Sequence, residues 1–235
     1  ILVKQKTGER AVFFERSTAT EPEFLEAHKQ LIESAYILHI NGRHRKLMRS
    51  AMAVAKEVGT IISLDGGAQR YDEDMKPITE ASHIVIVARD YAEKYTGTTN
   101  LEDACRIIHE RGVFIAGVTD GANGSYFVWP DGTSYRCEPF SQATVVDTTG
   151  AGDSFHGAFL YMLTKTLCKI ADGTNTSTMN ETSQSLNAID LLHSCAHEDL
   201  EKAATFASAV AALNTQGIGG RSPLPSLEDI KALIG

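Results

Sequence analysis

The sequence predicts an α/β fold: a mostly parallel sheet with helices on both faces. Three observations carry that expectation. Short unbroken apolar runs, such as Ile84-Val85-Ile86-Val87, read as strands covered on both faces. Amphipathic stretches, such as Lys46 to Val58, alternate with them in the βα manner. Polar or glycine-rich turns follow the apolar runs at Asn41-Gly42, Asp65-Gly66-Gly67, Ala88-Arg89-Asp90, Thr119-Asp120-Gly121 and Asp147 to Asp153. In such sheets the active crevice lies beyond the carboxyl ends of the strands, so one site is expected to collect all five.

In chain order, Ile1-Leu2-Val3 and Ala11-Val12-Phe13-Phe14 flank the turn Thr7-Gly8-Glu9-Arg10 and read as a hairpin. Glu21-Pro22 opens a predicted helix that runs to Ser34, and Tyr36 to Ile40 is a buried strand. The helix from Lys46 to Val58 leads to a strand from Thr60 to Asp65. The run at Ile84 to Val87 is followed by a helix from Asp90, a second helix from Leu101 to Arg111, and a strand from Val113 to Val118. Gly124 to Val128 and Thr133 to Cys137 form a hairpin about Pro130-Asp131-Gly132. Residues 172–187 are polar and of low complexity and read as a flexible surface insertion between two helices.

A chain of 235 residues can bury a proper core. Its net charge of -8, without a basic run, argues against a nucleic-acid partner. No apolar run approaches membrane-spanning length, and no signal peptide opens the chain. The four cysteines have no paired spacing, which reads as reduced thiols in a cytoplasmic protein. His193, Cys195 and His197 invite a metal reading, but Cys195 points away from the face the histidines share, and a helix surface is the simpler reading.

The most informative stretch runs from Val145 to Phe159. Val145-Val146 reads as the end of a buried strand. Gly150-Ala151-Gly152 leaves the backbone bare, and Phe155, Ala158, Phe159 and Met162 recur at helical spacing. Strand, small-residue turn and helix N-terminus together make an anion hole. Asp153 sits at its mouth, where a carboxylate would repel an anion. It makes sense there as the base for a hydroxyl that attacks a phosphoryl group. The alternative is a tight turn with Asp153 as a helix cap.

Asp147-Thr148-Thr149-Gly150-Ala151-Gly152-Asp153, followed by Phe155, resembles the second signature of the ribokinase-like (PfkB) carbohydrate kinases. Within that family the chain is most similar to the ketohexokinase and sulfofructose kinase type. The resemblance implies a ribokinase-like three-layer α/β/α sandwich over residues 1–235, corresponding to the C-terminal two-thirds of the usual fold. It begins well inside the usual chain, so roughly a hundred preceding residues, carrying lid and sugar contacts, are expected beyond Ile1. By the same resemblance Asp153 is the catalytic base, and the amides of Gly150, Ala151 and Gly152 hold developing phosphoryl charge. Thr119, Gly121 and Gly124, in a stretch similar to the family's T-x-G-x-x-G loop, would hold nucleotide, with Gly217 in the adenine-side loop. A glycine-rich hairpin turn is the competing reading of Thr119 to Gly124. Asn41 is a substrate candidate beside Asp153, or else a helix cap. Asp147 and Thr149 match positions that bind a monovalent cation in relatives, with carbonyls near Ala212, Thr215 and Gly217 completing the shell. Asp147 capping the turn is the alternative. The family's N-x-x-E motif is out of register here at Asp90 and Glu93.

The resemblance therefore implies an ATP-dependent transfer of the γ-phosphate to a primary hydroxyl of a small sugar or sugar derivative. ATP and Mg2+ are the expected cofactors, with K+ as a further candidate. The expected partners are the sugar and ATP, with neither nucleic acid nor membrane, and a homodimer is compatible with the reading. Two rivals stay open: a non-catalytic or truncated nucleotide-binding relative, and a nucleoside kinase of the same family.

Overall fold

The computed structural model describes residues 2–3, 10–11, 20–140, 144–177, 187–222 and 224–235. Its centre is a six-stranded sheet. The strands are β3 (Ile37–Ile40), β4 (Ile61–Gly66), β5 (Ile84–Ala88), β6 (Ile115–Thr119), β7 (Ser125–Val128) and β8 (Ser134–Cys137), side by side in chain order. The β3–β6 pairings are parallel, and β7 and β8 add antiparallel. A separate short antiparallel pair joins β1 (Leu2–Val3) to β2 (Arg10–Ala11), which agrees with the predicted hairpin, whose turn lies outside the described residues.

The predicted alternation of strand and helix is observed. One face of the sheet carries α1 (Glu26–Glu33), α2 (Arg45–Val58), α3 (Lys76–Glu80), α4 (Arg89–Thr96) and α5 (Leu101–Glu110). The other carries α6 (Ala151–Ser177), α7 (Ala188–His193), α8 (His197–Asn214) and α9 (Leu227–Ile234). Successive strand residues alternate between these layers, as the pleat requires. Ile62, Val85 and Val87 join Met48, Met52, Tyr91 and Ile108 in one core, while Ile61, Ile84 and Ile86 join Phe159, Leu163 and Leu167 in the other. Both faces are covered, which is why these strands read as unbroken apolar runs.

The structure corrects four local expectations. The strand expected to be buried from Tyr36 to Ile40 is the edge strand β3, which starts at Ile37 and buries only Ile40, because no neighbour covers its outer side among the described residues. The first helix begins at Glu26, not at Glu21-Pro22. Glu21 instead accepts the Leu47 backbone N–H at 3.0 Å, serving an open donor in the first turn of α2. Val145 and Val146 are not a strand. They are 42% and 37% exposed, and Val146 N–H donates to the Thr215 carbonyl past the end of α8, so the segment satisfies itself without a sheet neighbour. The polar stretch 172–187 is not wholly a loop. Helix α6 continues through Ser177, and Asn187 caps α7 by accepting the Ile189 and Asp190 N–H groups, each at 3.0 Å. The remaining residues of that stretch, 178–186, lie outside the described set.

His193, Cys195 and His197 are drawn in different directions. The His193 ring packs 4.2 Å from Phe114, Cys195 contacts the Leu191 carbonyl, and His197 Nε2 lies 3.4 Å from Asp131. Among the described residues no helix is long and apolar enough to cross a membrane.

Candidate active site

The turn before α6 is built around a buried carboxylate. Asp147 is 3% exposed and accepts the Thr149 N–H at 2.8 Å and the Gly219 N–H at 2.9 Å. It thereby joins the start of α6 to the loop after α8. The second clasp between these segments is steric. Gly150 has φ +80°, and a Cβ there would lie 2.5 Å from the Gly220 Cα, so only glycine permits the two backbones to approach this closely. Asn214 adds a third tie, donating from Nδ2 to the Thr149 carbonyl at 3.3 Å.

This clasp leaves donors at the N-terminus of α6. The N–H groups of Gly150 and Gly152 have no hydrogen-bond partner among the described residues, while that of Ala151 makes a long 3.3 Å bond to the Thr148 carbonyl. Open amides at a helix N-terminus attract anionic oxygen. Asp153 follows in the first turn. It is exposed and lines a cavity of about 390 Å³ together with Ser154, Gly157, Gly220 and Arg221. An exposed carboxylate beside open amides can accept a proton from a hydroxyl while the amides hold the group under attack.

The glycine-rich loop after β6 is closely packed. Thr119 ends the strand, Asp120 N–H donates to the Gly124 carbonyl at 2.8 Å, and Gly124 N–H donates to that of Gly121 at 3.1 Å. Gly124 has φ +86°, and a Cβ there would sit 2.3 Å from the Cys137 carbonyl, so this glycine is required by the approach of β8. Gly121, at φ +52°, faces open space. Arg89 closes the loop from β5, with Nη1 2.9 Å from Asp120 and Nε 3.3 Å from Glu93. Asp90 accepts the Gln69 N–H at 2.6 Å. The N-x-x-E region is therefore occupied by internal pairs.

Asn41 ends β3, as expected. Its side chain accepts the Arg43 N–H at 3.2 Å, and its carbonyl accepts from Arg70 at 3.2 Å. The larger finding lies beside it. Asp65, at the end of β4 and 7% exposed, lies 3.2 Å from His156 Nε2 on α6 and 3.6 Å from Arg70. Burial pushes the Asp65 carboxyl up, but the His156 hydrogen bond and the Arg70 charge outweigh it and hold the group below its ordinary range. The His39 ring lies 5.6 Å from that of His156 and contacts the Ser63 hydroxyl. Burial and then His156 lower its titration, against opposing pulls from Asp65 and Asp153. The sequence placed Asp65 only in a strand-end turn and gave His156 no role. The available signal was its helical spacing, one turn beyond Asp153 on the same face.

A monovalent cation suits the donor set near Asp147. Thr149 Oγ1 and Asn214 Oδ1 are both buried without a hydrogen-bond partner, and the Thr215 carbonyl lies alongside, accepting from Asp147 N–H at 3.1 Å. Neutral oxygens around a single carboxylate match the chemistry of a weakly charged, oxygen-seeking ion.

A family profile described as pfkB family carbohydrate kinase matches residues 1–227. Probable fructokinase-5 of Arabidopsis thaliana is 28% identical over 247 residues, covering 98% of this chain and 68% of that protein. The 5-dehydro-2-deoxygluconokinase of Shouchella clausii is 23% identical over 219 residues, covering 86% of this chain and 57% of that protein. Among solved structures, a Vibrio cholerae fructokinase double mutant in its fructose-, ADP- and potassium-bound form superposes with a TM-score of 0.65 at 21% identity, over 86% of this chain and 61% of that one. Ribokinase from Giardia lamblia gives 0.67 at 17% identity, over 87% and 61%. The chain thus spans roughly three-fifths of these solved structures, and the fold they share with it is ribokinase-like. With the profile running through both the glycine loop and the α6 turn, the chain belongs to the PfkB family of carbohydrate kinases.

Proposed function

We propose that this protein transfers the γ-phosphoryl group of ATP to a primary hydroxyl of a small sugar or sugar derivative, with Asp153 as general base. The observation that carries this reading is the exposed Asp153 carboxylate in the first turn of α6, directly after the open Gly150 and Gly152 amides. In this reading the acceptor hydroxyl sits between Asp153 and Asn41, and its proton passes to the Asp153 carboxylate as oxygen attacks phosphorus. The amides before α6, with the helix dipole behind them, stabilise charge on the phosphoryl oxygens. Thr119, Gly121 and Gly124 bind the nucleotide from the end of β6, and Gly217 from the loop after α8. The Gly124 conformation is needed for packing against β8, so its contribution is to hold the loop shape. Magnesium, when bound with ATP, supplies screening of the phosphate charges. Asp147, Thr149 and Asn214 would hold a monovalent cation that steadies the turn. Fructokinases, a 5-dehydro-2-deoxygluconokinase and an adenosine kinase among the relatives support phosphorylation of a sugar-bearing acceptor.

The test is a coupled ADP-release assay over a panel of sugars, sugar acids and nucleosides. A sugar-dependent signal is expected, and Asp153→Asn should lower kcat by about 100-fold or more while ATP binding survives. Near-normal turnover in that variant would remove Asp153 as the base. A signal with nucleosides alone would move the acceptor class to nucleosides.

A further inference from the structure

A continuous run of contacts joins the two sides of the proposed acceptor site. Arg70 Nη1 donates to the Asn41 carbonyl at 3.2 Å and lies 3.6 Å from Asp65. Asp65 lies 3.2 Å from His156 Nε2, and His156 stands one helical turn beyond Asp153. The residue after β3, the end of β4 and the first two turns of α6 are therefore linked through three side chains and the Asn41 carbonyl.

The His156–Asp65 pair is an odd choice for stability. Both residues are nearly buried, at 5% and 7% exposure, and His156 is flanked in the core by Phe155, Ala158 and Phe159. Asp65 is an ionised acceptor, so the proton on His156 belongs on Nε2. Nδ1 is buried without a partner. A buried polar pair with one nitrogen unpaired gives less stability than well-packed apolar residues at both positions would. What it gives instead is direction. A hydrogen bond fixes the rotation and height of a helix turn against a strand end, whereas apolar contact tolerates sliding.

We propose that His156 is a positioning residue for Asp153: held by Asp65, it sets the start of α6 against β4, and Arg70 carries the same linkage to the Asn41 carbonyl. The inference rests on the reading of Asp153 as the base. The base and the end of β3 then move as one unit, so an acceptor seated at Asn41 meets Asp153 at a fixed separation. Catalysis is sensitive to such placement, since a displacement of ~1 Å can cost ~100-fold in rate.

Three variants test the linkage. His156→Leu fills the space without the hydrogen bond. His156→Gln retains an N–H that can reach Asp65, and His156→Asn is polar but too short. His156→Leu leaves the buried Asp65 carboxylate with Arg70 alone, so it is expected to lower the melting temperature, lower kcat about 30-fold or more, and change KM for ATP by less than about threefold. His156→Gln should recover to within about fivefold of the parent kcat, with His156→Asn as impaired as the leucine variant. If His156→Leu does not fold, the asparagine and glutamine variants make the same comparison. Parent-like kcat in His156→Leu, or equal loss in the glutamine and asparagine variants, would overturn the proposal while leaving the kinase reading intact. No transfer by the parent protein to any acceptor, or an unaffected Asp153→Asn, would overturn the kinase reading and the linkage together.

Discussion

Replacing Gly152 by alanine should separate stability from phosphoryl transfer. Gly152 is the second residue of α6, and a Cβ built there meets nothing within 4 Å. Alanine is favoured over glycine in a helix by up to ~1 kcal/mol, and about half of that is expected this close to the end. The melting temperature should therefore rise by about 1–2 °C for a chain of this size. The same methyl stands beside the N–H assigned to the phosphoryl oxygen. Alanine keeps the N–H, but its methyl obstructs an oxygen approaching it, and a donor so blocked lowers turnover by up to about 100-fold. Gly150→Ala supplies the contrast. Its φ of +80° costs an L-residue ~1–2 kcal/mol, and the 2.5 Å approach to Gly220 adds a clash with backbone that has nowhere to go. That variant should lose both stability and activity. Differential scanning calorimetry and single-turnover phosphoryl transfer on the two proteins make the comparison. Full turnover in Gly152→Ala would show that the bare backbone at this position serves no ligand, and the anion-hole argument would fall with it.

Other consequences follow from the same contacts. Asp147→Ala strands the Thr149 and Gly219 N–H groups and should cost about 2–5 kcal/mol in urea unfolding, more than any exposed aspartate tested alongside. Phe159→Ala removes a fully buried ring stacked 5.8 Å from Phe127 and should cost about 3–5 kcal/mol by the same measurement. His83 Nδ1 accepts the Ile62 N–H at 2.9 Å, and burial first, then the charges of Lys56 and His193, lower its titration. The unfolded chain then binds more protons below pH ~6.5, so stability is full above that value and is lost as pH falls through the folded-state pKa. Melting temperature should drop between pH 7 and 5, and His83→Gln, which keeps an acceptor that does not titrate, should flatten the drop. His39 contributes with the same sign.

Which parts of this molecule could be read from its sequence follows from how local the causes are. Strands β4 and β5 announce themselves because cover on both faces demands apolar residues at every position, and Ile61-Ile62 and Ile84 to Val87 supply them. Gly150 to Asp153 is similarly self-contained, since turn, helix start and open amides arise within a few residues. Val145-Val146 misled because β-branched residues suggest pairing, yet among the described residues no strand pairs with them and the Thr215 carbonyl takes the N–H group of Val146. Glu21 misled for a related reason: its partner is the N-terminus of a different helix.

The same distinction explains what was missed at the site. Asp65 and His156 have ordinary local roles, a strand end and a helix position. Only the packing of α6 against the sheet face beside β4 brings them within 3.2 Å. Asp147 is similar. As a turn residue its local role was clear, but its second acceptor contact, to Gly219, requires the chain to return after α8. Both carboxylates connect α6 to a distant segment, one through His156 in its second turn and the other through the residues just before it. The start of α6 is thus fixed from two sides. For the proposed base Asp153, a helix with two such anchors meets the requirement of phosphoryl transfer, in which most of the catalytic effect comes from holding nucleophile, phosphorus and base in line.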